Sequence, residues 1–399
     1  MVNHKSGQIQ QGILIYTTGD FPYGMAPESL VRQMALGLKF HNIRLKVIRL
    51  RGKWYNYKND TGIDASNFVL PHLPKTEIFK IFELFTYLFF IPFSVIKNKL
   101  SHKTDAVILY GVEYFYEIFP YWIACKITKT KLIRITTDLY RESTIVPVWW
   151  KRPKLFFYLF QFKHFDKYLD GIVSLSNYMA DFAKKNGVKL EKIVVIPHFI
   201  DIEGFCKGIV LTQTQGRIKL GFCGTVNEPN GIYDLIAAFK IVHSMHPETE
   251  LLIVGEPSQY DKIKIIKMIA TVADAVKITG LLSQDKVPQT LMTCQILINP
   301  RASGLFAEAG FPTKLGEYFA TKKPVVATKV GDIISYFSDR KELVLAEPDH
   351  PQSLASAILF LINNKAEADQ IGINGFIWAK NHLDYINNSK KLIEFINTH

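Results

Sequence analysis

The stretch Glu308 to Thr328, EAGFPTKLGEYFATKKPVVAT, decides how this chain is read. Gly310 and Pro312 break the backbone just before a short helix. That helix carries Lys314 and Glu317 on its first turns, and a buried strand, Pro324 to Thr328, follows. A loop that opens onto a helix N-terminus gathers unpaired N–H groups and the positive end of the helix dipole, a setting that suits an anion. Lys314 adds a full positive charge, and Glu317 offers a pair of acceptors for sugar hydroxyls. Diphosphate plus hydroxyls describes a nucleotide sugar. The same residues also fit an ordinary α/β loop and helix with two surface charges, so the rest of the chain has to discriminate.

With 399 residues, the chain has room for two domains with separate cores. A hydrophobic content of 48% and a charged content of 21% fit a soluble globular protein. The first apolar run, Gly12 to Tyr16, is too short for a leader and reads as a strand. Cys125, Cys206, Cys223 and Cys294 are widely spaced, with no CxxC and no His cluster. We therefore expect reduced cytosolic thiols, with neither a disulfide framework nor a metal site.

The net charge of +12 is unevenly placed. Residues 1–216 hold 29 Lys and Arg against 17 Asp and Glu, whereas residues 217–399 hold 19 of each. A basic half beside a neutral one points to an anionic partner for the first half: nucleic acid, a phospholipid surface or a phosphorylated acceptor.

Apolar strand-like runs alternate with helical ones. In the first half the strand candidates are Gly12 to Tyr16, Leu45 to Leu50, Ala106 to Tyr110, Leu132 to Thr136, Gly171 to Leu175 and Ile193 to Pro197. The pattern restarts with Ile218 to Cys223, Glu250 to Val254, Val276 to Thr279, Ile296 to Asn299 and Pro324 to Ala327. Helical spacing separates them, as in Leu30, Val31, Met34, Ala35 and Leu38, or Ile232, Leu235, Ile236, Phe239 and Val242. Short buried strands between helices predict α/β architecture with two doubly wound parallel sheets, two Rossmann-like domains joined near Ile202 to Gly216. Ligands of such sheets bind beyond the C-terminal strand ends, so a cleft between the two domains is the expected site.

Two aromatic segments stand apart. Ile78 to Ile96 holds Phe79, Phe82, Phe85, Phe89, Phe90 and Phe93, but Lys80, Glu83 and Pro92 interrupt it before it could span a bilayer. Trp149 to Tyr168 mixes aromatics with Lys151, Arg152, Lys154, Lys163 and Lys167, the composition of a helix lying on anionic lipid. Core helices with basic outer faces would read the same way.

Seven stretches, taken together and in order, resemble the family-4 retaining glycosyltransferases of the GT-B fold. They are FPYGMAPESLVRQMALGL, VSLSNYMADFAKKNGVKLEKIVVIPHFID, GFCGTVNEPNGIYDLIAAFKIV, ELLIVGE, ITGLLSQDKVPQTLMTCQILINPR, FPTKLGEYFATKKPVVATKVGDI and LVLAEPDHPQSLASAILFLI. The resemblance covers nearly the whole chain and is strongest in its second half. The PxKLxEY pattern from Pro312 to Tyr318 is similar to that of bacterial polysaccharide-biosynthesis members.

This resemblance implies an acceptor domain over 1–205, completed by a C-terminal helix over 383–399, and a nucleotide-sugar domain over 206–382. It implies transfer of a sugar, with retention, from a nucleotide-diphosphate sugar to a hydroxyl acceptor. The basic charge and aromatic segments of the first half add the expected setting, a lipid-linked glycan of surface-polysaccharide synthesis met at the cytoplasmic membrane face, with no cofactor, no metal and no nucleic acid.

Carried over by position, Glu317 holds the nucleotide ribose and Gly224 passes close to the donor diphosphate. Gly280 and Leu281 flank the base. Gly24 lies in a loop approaching the donor phosphates, and Phe311, Pro312 and Thr313 line the donor loop. Thr137 and Asp138 fall where the family often has a His-Asp pair, which makes Asp138 a candidate to orient the acceptor or act as base. Asp138 also reads as a structural strand-end carboxylate.

There are departures. The family's first glutamate falls on Ala309, with Glu308 one residue away: either the loop is adjusted by one residue, or another group holds the donor sugar. Two basic diphosphate clamps fall on the neutral Thr225 and Asn230. Lys314, with Arg301, is the candidate to supply the missing charge. Lys314, Asp138 and Glu308 are thus the candidate catalytic residues. His198 reads as a structural loop histidine.

Rival readings fare less well. A nucleotide-sugar epimerase shares the fold, and a non-catalytic relative at the membrane would bind without turnover. A dinucleotide oxidoreductase lacks any G-x-G-x-x-G after a first strand. A nucleic-acid binder would account for the basic half but not for the donor motif.

Overall fold

β1 (Gly12–Thr17) is an almost unbroken apolar run, and the reason is visible in its packing: Ile13 and Ile15 enter one core while Leu14 and Tyr16 enter another. A strand covered on both faces is the mark of a parallel sheet sandwiched between helices. The protein, a computed structural model, is described over residues 11–19, 21, 26–50, 61–67, 77–137, 152–209 and 217–398. Gly24 and Asp138 lie outside the described residues, as do Trp149 and Trp150.

The chain divides into two units. The first comprises Met1–Phe199 with Tyr385–His399, and the second Ile200–Asp384. In the first, β1 is joined by β2 (Arg44–Arg49), β3 (Asp64–Asn67), β4 (Thr104–Tyr110), β5 (Lys131–Thr136), β6 (Gly171–Ser174) and β7 (Ile193–Val195). Their order is β3-β2-β1-β4-β5-β6-β7, and every pairing is parallel. β3 is absent from the sequence reading because its residues, DASN, carry no apolar run. Backbone pairing along β2, from Lys46↔Asp64 to Arg49↔Asn67, creates it instead.

The last helix, Tyr385–Thr398, closes this unit. Leu392, Phe395 and Ile396 enter the core beside Leu30, Met34 and Leu38, and Lys131 Nζ donates to the Ile396 carbonyl at 2.6 Å. On the opposite face of the sheet, β5 buries Arg134 against Asp166 at 2.7 Å, each side chain 1% exposed. Gln161 Nε2 donates to the same carboxylate at 2.6 Å, and Arg134 lies over the Phe162 ring. This buried pair anchors the helical segment 152–168, in which Tyr158, Phe162 and Phe165 are core residues. The expectation of an interfacial helix from Trp149 to Tyr168 is therefore corrected for these three rings. Their alternation with lysines reflects a helix with a basic outer face, and within the described part of this segment Phe156 and Tyr168 are the exposed large rings.

The second unit repeats the plan with β8 (Ile218–Cys223), β9 (Thr249–Val254), β10 (Val276–Ile278), β11 (Ile296–Asn299), β12 (Val325–Thr328) and β13 (Val344–Ala346). The order is β10-β9-β8-β11-β12-β13, again all parallel. Leu220 and Phe222 face one core, while Leu297, Ala327, Leu315 and Tyr318 belong to the other. The sequence reading did not include β13. Each unit is thus an α/β doubly wound parallel sheet, as expected for each domain of the GT-B class. In the second unit, strand order reverses between β8 and β11, the place where ligands of such sheets bind.

Candidate active site

Beyond the C-terminal end of β8 the chain turns through Gly224, at φ 139°, a conformation that a side chain would strain. A Cβ at Gly224 would also stand 2.9 Å from Lys314 Nζ. The glycine thus lets the lysine ammonium lie directly against the backbone. Lys314 opens the helix Lys314–Ala320, whose Tyr318 ties it to the same strand end. The Cys223 N–H donates to the Tyr318 hydroxyl at 2.7 Å. Gly316 packs closely on Ile200 and Leu383, which sets the depth of the helix.

Two further groups surround the ammonium. Lys314 Nζ donates to Asn230 Oδ1 at 3.4 Å and sits 4.4 Å from the centroid of the Phe222 ring. Asn230 is buried in the short helical turn Glu228–Asn230, where Asn227 Oδ1 accepts from both its N–H at 3.2 Å and its Nδ2 at 2.7 Å. Gly231 follows at φ 73°, and a Cβ there would run into the Pro300 carbonyl. These contacts hold the β8 loop against the end of β11.

Lys314 and Glu317 retain partial solvent access yet are enclosed by protein on most sides. Burial pushes the Lys314 ammonium down to about 7, and the nearby Arg301 charge pushes the same way. Burial lifts the Glu317 carboxyl to about 7 against the pull of Lys314. Each therefore titrates near neutrality, and a ligand carrying the opposite charge or hydrogen-bonding capacity would shift it. At the head of the helix, Leu315 and Gly316 donate to the Pro312 and Thr313 carbonyls at 2.9 and 3.3 Å. The amides of Thr313 and Lys314 have no backbone acceptor among the described residues.

The remaining donor-site candidates fall around this core to different extents. Arg301 is buried, donates from Nη1 to the Gly310 carbonyl at 2.7 Å, and stacks on Phe306. Its charge reaches Lys314, but its hydrogen bond holds the loop. Phe311 and Pro312 are buried, Phe311 packing edge-on to Tyr336, and so shape the loop from beneath. Thr225 is exposed just past Gly224, and Thr313 is half-buried. Gly280, at φ 72°, has open space around it, and its carbonyl accepts from the Gly255 N–H at 3.1 Å. Leu281 beside it is 67% exposed.

The glutamate question takes physical form here. Ala309, eight positions before Glu317, is wholly buried, whereas Glu308 is exposed at the end of the helix Leu305–Ala309. In the first unit, Thr137 lies just past β5, and His198 is buried with Nδ1 3.0 Å from the Phe199 carbonyl. Burial depresses the His198 imidazole to about 4, which keeps the ring neutral near pH 7.

Sequence reading passed over Asn299, the last residue of β11. It has no exposed surface, and neither Oδ1 nor Nδ2 has a partner among the described residues. The available signal was a carboxamide ending an otherwise apolar strand. It also missed Tyr318 as the brace between helix and strand, since nothing local marks that contact.

Residues 217–364 match the sequence family described as "Glycosyl transferases group 1", a stretch that lies within the second unit. Over 225 residues the chain is 28% identical to the uncharacterized glycosyltransferase MJ1178 of Methanocaldococcus jannaschii. That match takes in 55% of this chain and 59% of the length of that relative. Among solved structures, the chain is similar to Anabaena Alr3699/HepE in complex with UDP, at TM-score 0.75 and 16% identity, covering 98% of this chain and 100% of that one. It is also similar to a glycosyltransferase from Rickettsia africae, at TM-score 0.73 and 15% identity, covering 98% and 99%. Identities this low speak for the fold alone.

Proposed function

We propose that this protein transfers a sugar from a nucleoside-diphosphate donor to a hydroxyl acceptor. The observation that carries this reading is the Lys314 ammonium, held against Gly224 at the β8–β11 switch point and three residues from Glu317 on one helix. Lys314 would meet the diphosphate and take up the charge that develops as it departs. Preorganised donors of this kind are worth about 3–4 kcal/mol each at the transition state. Glu317 would accept from ribose hydroxyls, with Gly280 and Leu281 beside the base. The UDP bound in the Anabaena neighbour favours a uridine nucleotide.

The finer features of the reading are these. The protein belongs with the family-4 enzymes, and transfer retains the anomeric configuration. The donor site works without a metal or other cofactor because Lys314 supplies the counter-charge. Glu308 takes the place of the family's first glutamate on the donor sugar, and Asp138 orients the acceptor. The acceptor is a lipid-linked glycan of surface-polysaccharide synthesis, met by the basic first unit at the cytoplasmic face of the membrane. Among the described residues, no helix is long and apolar enough to cross a membrane.

The test is calorimetric titration of the purified protein with UDP, GDP, ADP and CMP in the presence of chelator. Micromolar binding of one nucleoside diphosphate, lost in Glu317→Ala, is the expected result. Absence of binding to all four would defeat the donor-site reading. Nucleotide release only when an acceptor is present would separate transfer from epimerisation.

A further inference from the structure

The last turns of the helix Glu77–His102 of the first unit carry apolar side chains on both faces. Its inward face carries Ile91, Ser94, Val95 and Asn98, all buried. The two polar side chains there are satisfied: Tyr16 and Ser94 share a hydrogen bond between their hydroxyls at 2.8 Å, and Asn98 Nδ2 donates to the Ser94 carbonyl at 2.7 Å. The outward face carries large apolar groups as well. Phe89 is 70% exposed, Phe90 52%, Phe93 64% and Leu100 80%.

Phe89, Phe93, Lys97 and Leu100 recur at intervals of three and four residues and so form one stripe along the helix. Single exposed hydrophobes are ordinary, but a run of phenylalanines on one face marks an interaction surface. Residues 88–103 contain Lys97, Lys99 and Lys103 and no acidic residue. Lys99 is occupied by the Thr104 carbonyl, at 2.7 Å. Lys97 and Lys103 are exposed and have no acidic partner among the described residues. On the adjoining helix, Phe115–Thr128, Ile127 is 67% exposed near the exposed Lys129, while Lys126 is paired with Asp170 at 3.1 Å.

We propose that this face docks on an anionic phospholipid bilayer, with Phe89, Phe93 and Leu100 entering the acyl boundary and Lys97 and Lys103 among the headgroups. Exposed aromatics flanked by the solvent-facing ammonium groups of Lys97 and Lys103 are complementary to an apolar layer bounded by negative charge. A second copy of this chain fits less well. A two-fold contact would bring like-charged lysines together with no acidic residue in the stripe to meet them. The inference rests on the membrane setting proposed above, but its test does not depend on turnover.

The full-length protein would be pelleted with vesicles of phosphatidylcholine alone and with vesicles containing phosphatidylglycerol. Preference for the anionic vesicles is expected. The double variant Phe89→Ser, Phe93→Ser should lower partitioning at least ~10-fold. Lys97→Gln and Lys103→Gln should each lower it about 5-fold, on anionic vesicles only. Nucleotide titration of each variant shows that it is folded and isolates this proposal from failure of the donor site. Wild-type protein that ignores anionic vesicles would overturn the proposal, as would variants that pellet like wild type. A concentration-dependent dimer dissociated by the same serine substitutions would overturn it in favour of self-association.

Discussion

Lys314 Nζ reaches Asn230 Oδ1 at 3.4 Å, although the two residues lie 84 positions apart. This contact brings the ammonium to the β8–β11 switch point and makes the loop after β8 part of the site. One consequence concerns turnover. Lys314→Ala should lower the rate of the chemical step more than donor affinity, because the leaving diphosphate carries its largest charge at the transition state. Single-turnover rates and equilibrium binding of the same variant separate the two. Equal losses in both would assign Lys314 to ground-state binding.

Glu317→Ala should weaken nucleotide binding by at least ~10-fold, the range for losing a charge-assisted hydrogen bond. Calorimetry reads it directly. Unchanged affinity would remove Glu317 from the site.

The depressed Lys314 ammonium has a stability signature. Its pKa is about 7 in the folded protein against an ordinary 10.5, so between these values the unfolded chain binds more protons than the folded one. Stability should therefore rise with pH from about 7 toward 10, relative to a Lys314→Met variant that lacks the group. Thermal melts of the two proteins across that window check the sign. Parallel curves would mean that the ammonium is not desolvated. Bound nucleoside diphosphate should flatten the wild-type curve, since an anion beside Lys314 restores its proton.

Tyr318→Phe removes the acceptor of the Cys223 N–H without changing ring volume. Leaving that amide unpaired should cost about 1–3 kcal/mol in urea denaturation. It should also weaken nucleotide binding, because the brace between helix and strand end is lost. A stability loss with unaltered affinity would confine the brace to folding.

In the first unit, Arg134→Met leaves the fully buried Asp166 without its cation and should cost about 3–5 kcal/mol. Arg134→Met combined with Asp166→Leu should recover part of that loss, since well-packed apolar groups replace buried ion pairs at little cost. Urea midpoints of the single and double variants make the comparison.

Much of this architecture was legible in the chain because it is encoded locally. Apolar runs such as GILIYT and TELLIV announce strands buried on both faces, and the spacing of Leu235, Ile236, Phe239 and Val242 announces a helix, whatever packs above them. Lys314 and Glu317 were legible for the same reason: three residues of one helix place them on one side. Tertiary structure alone decided which surfaces are covered. It buried Tyr158, Phe162 and Phe165, left Phe89 and Phe93 in solvent, and made a strand of the polar Asp64–Asn67. It also carried Asn230 and Gly224 to Lys314, and shut the Asn299 carboxamide away at the end of β11. Burial and long-range contact depend on what the rest of the chain lays over a residue, and that information resides in no single stretch of sequence.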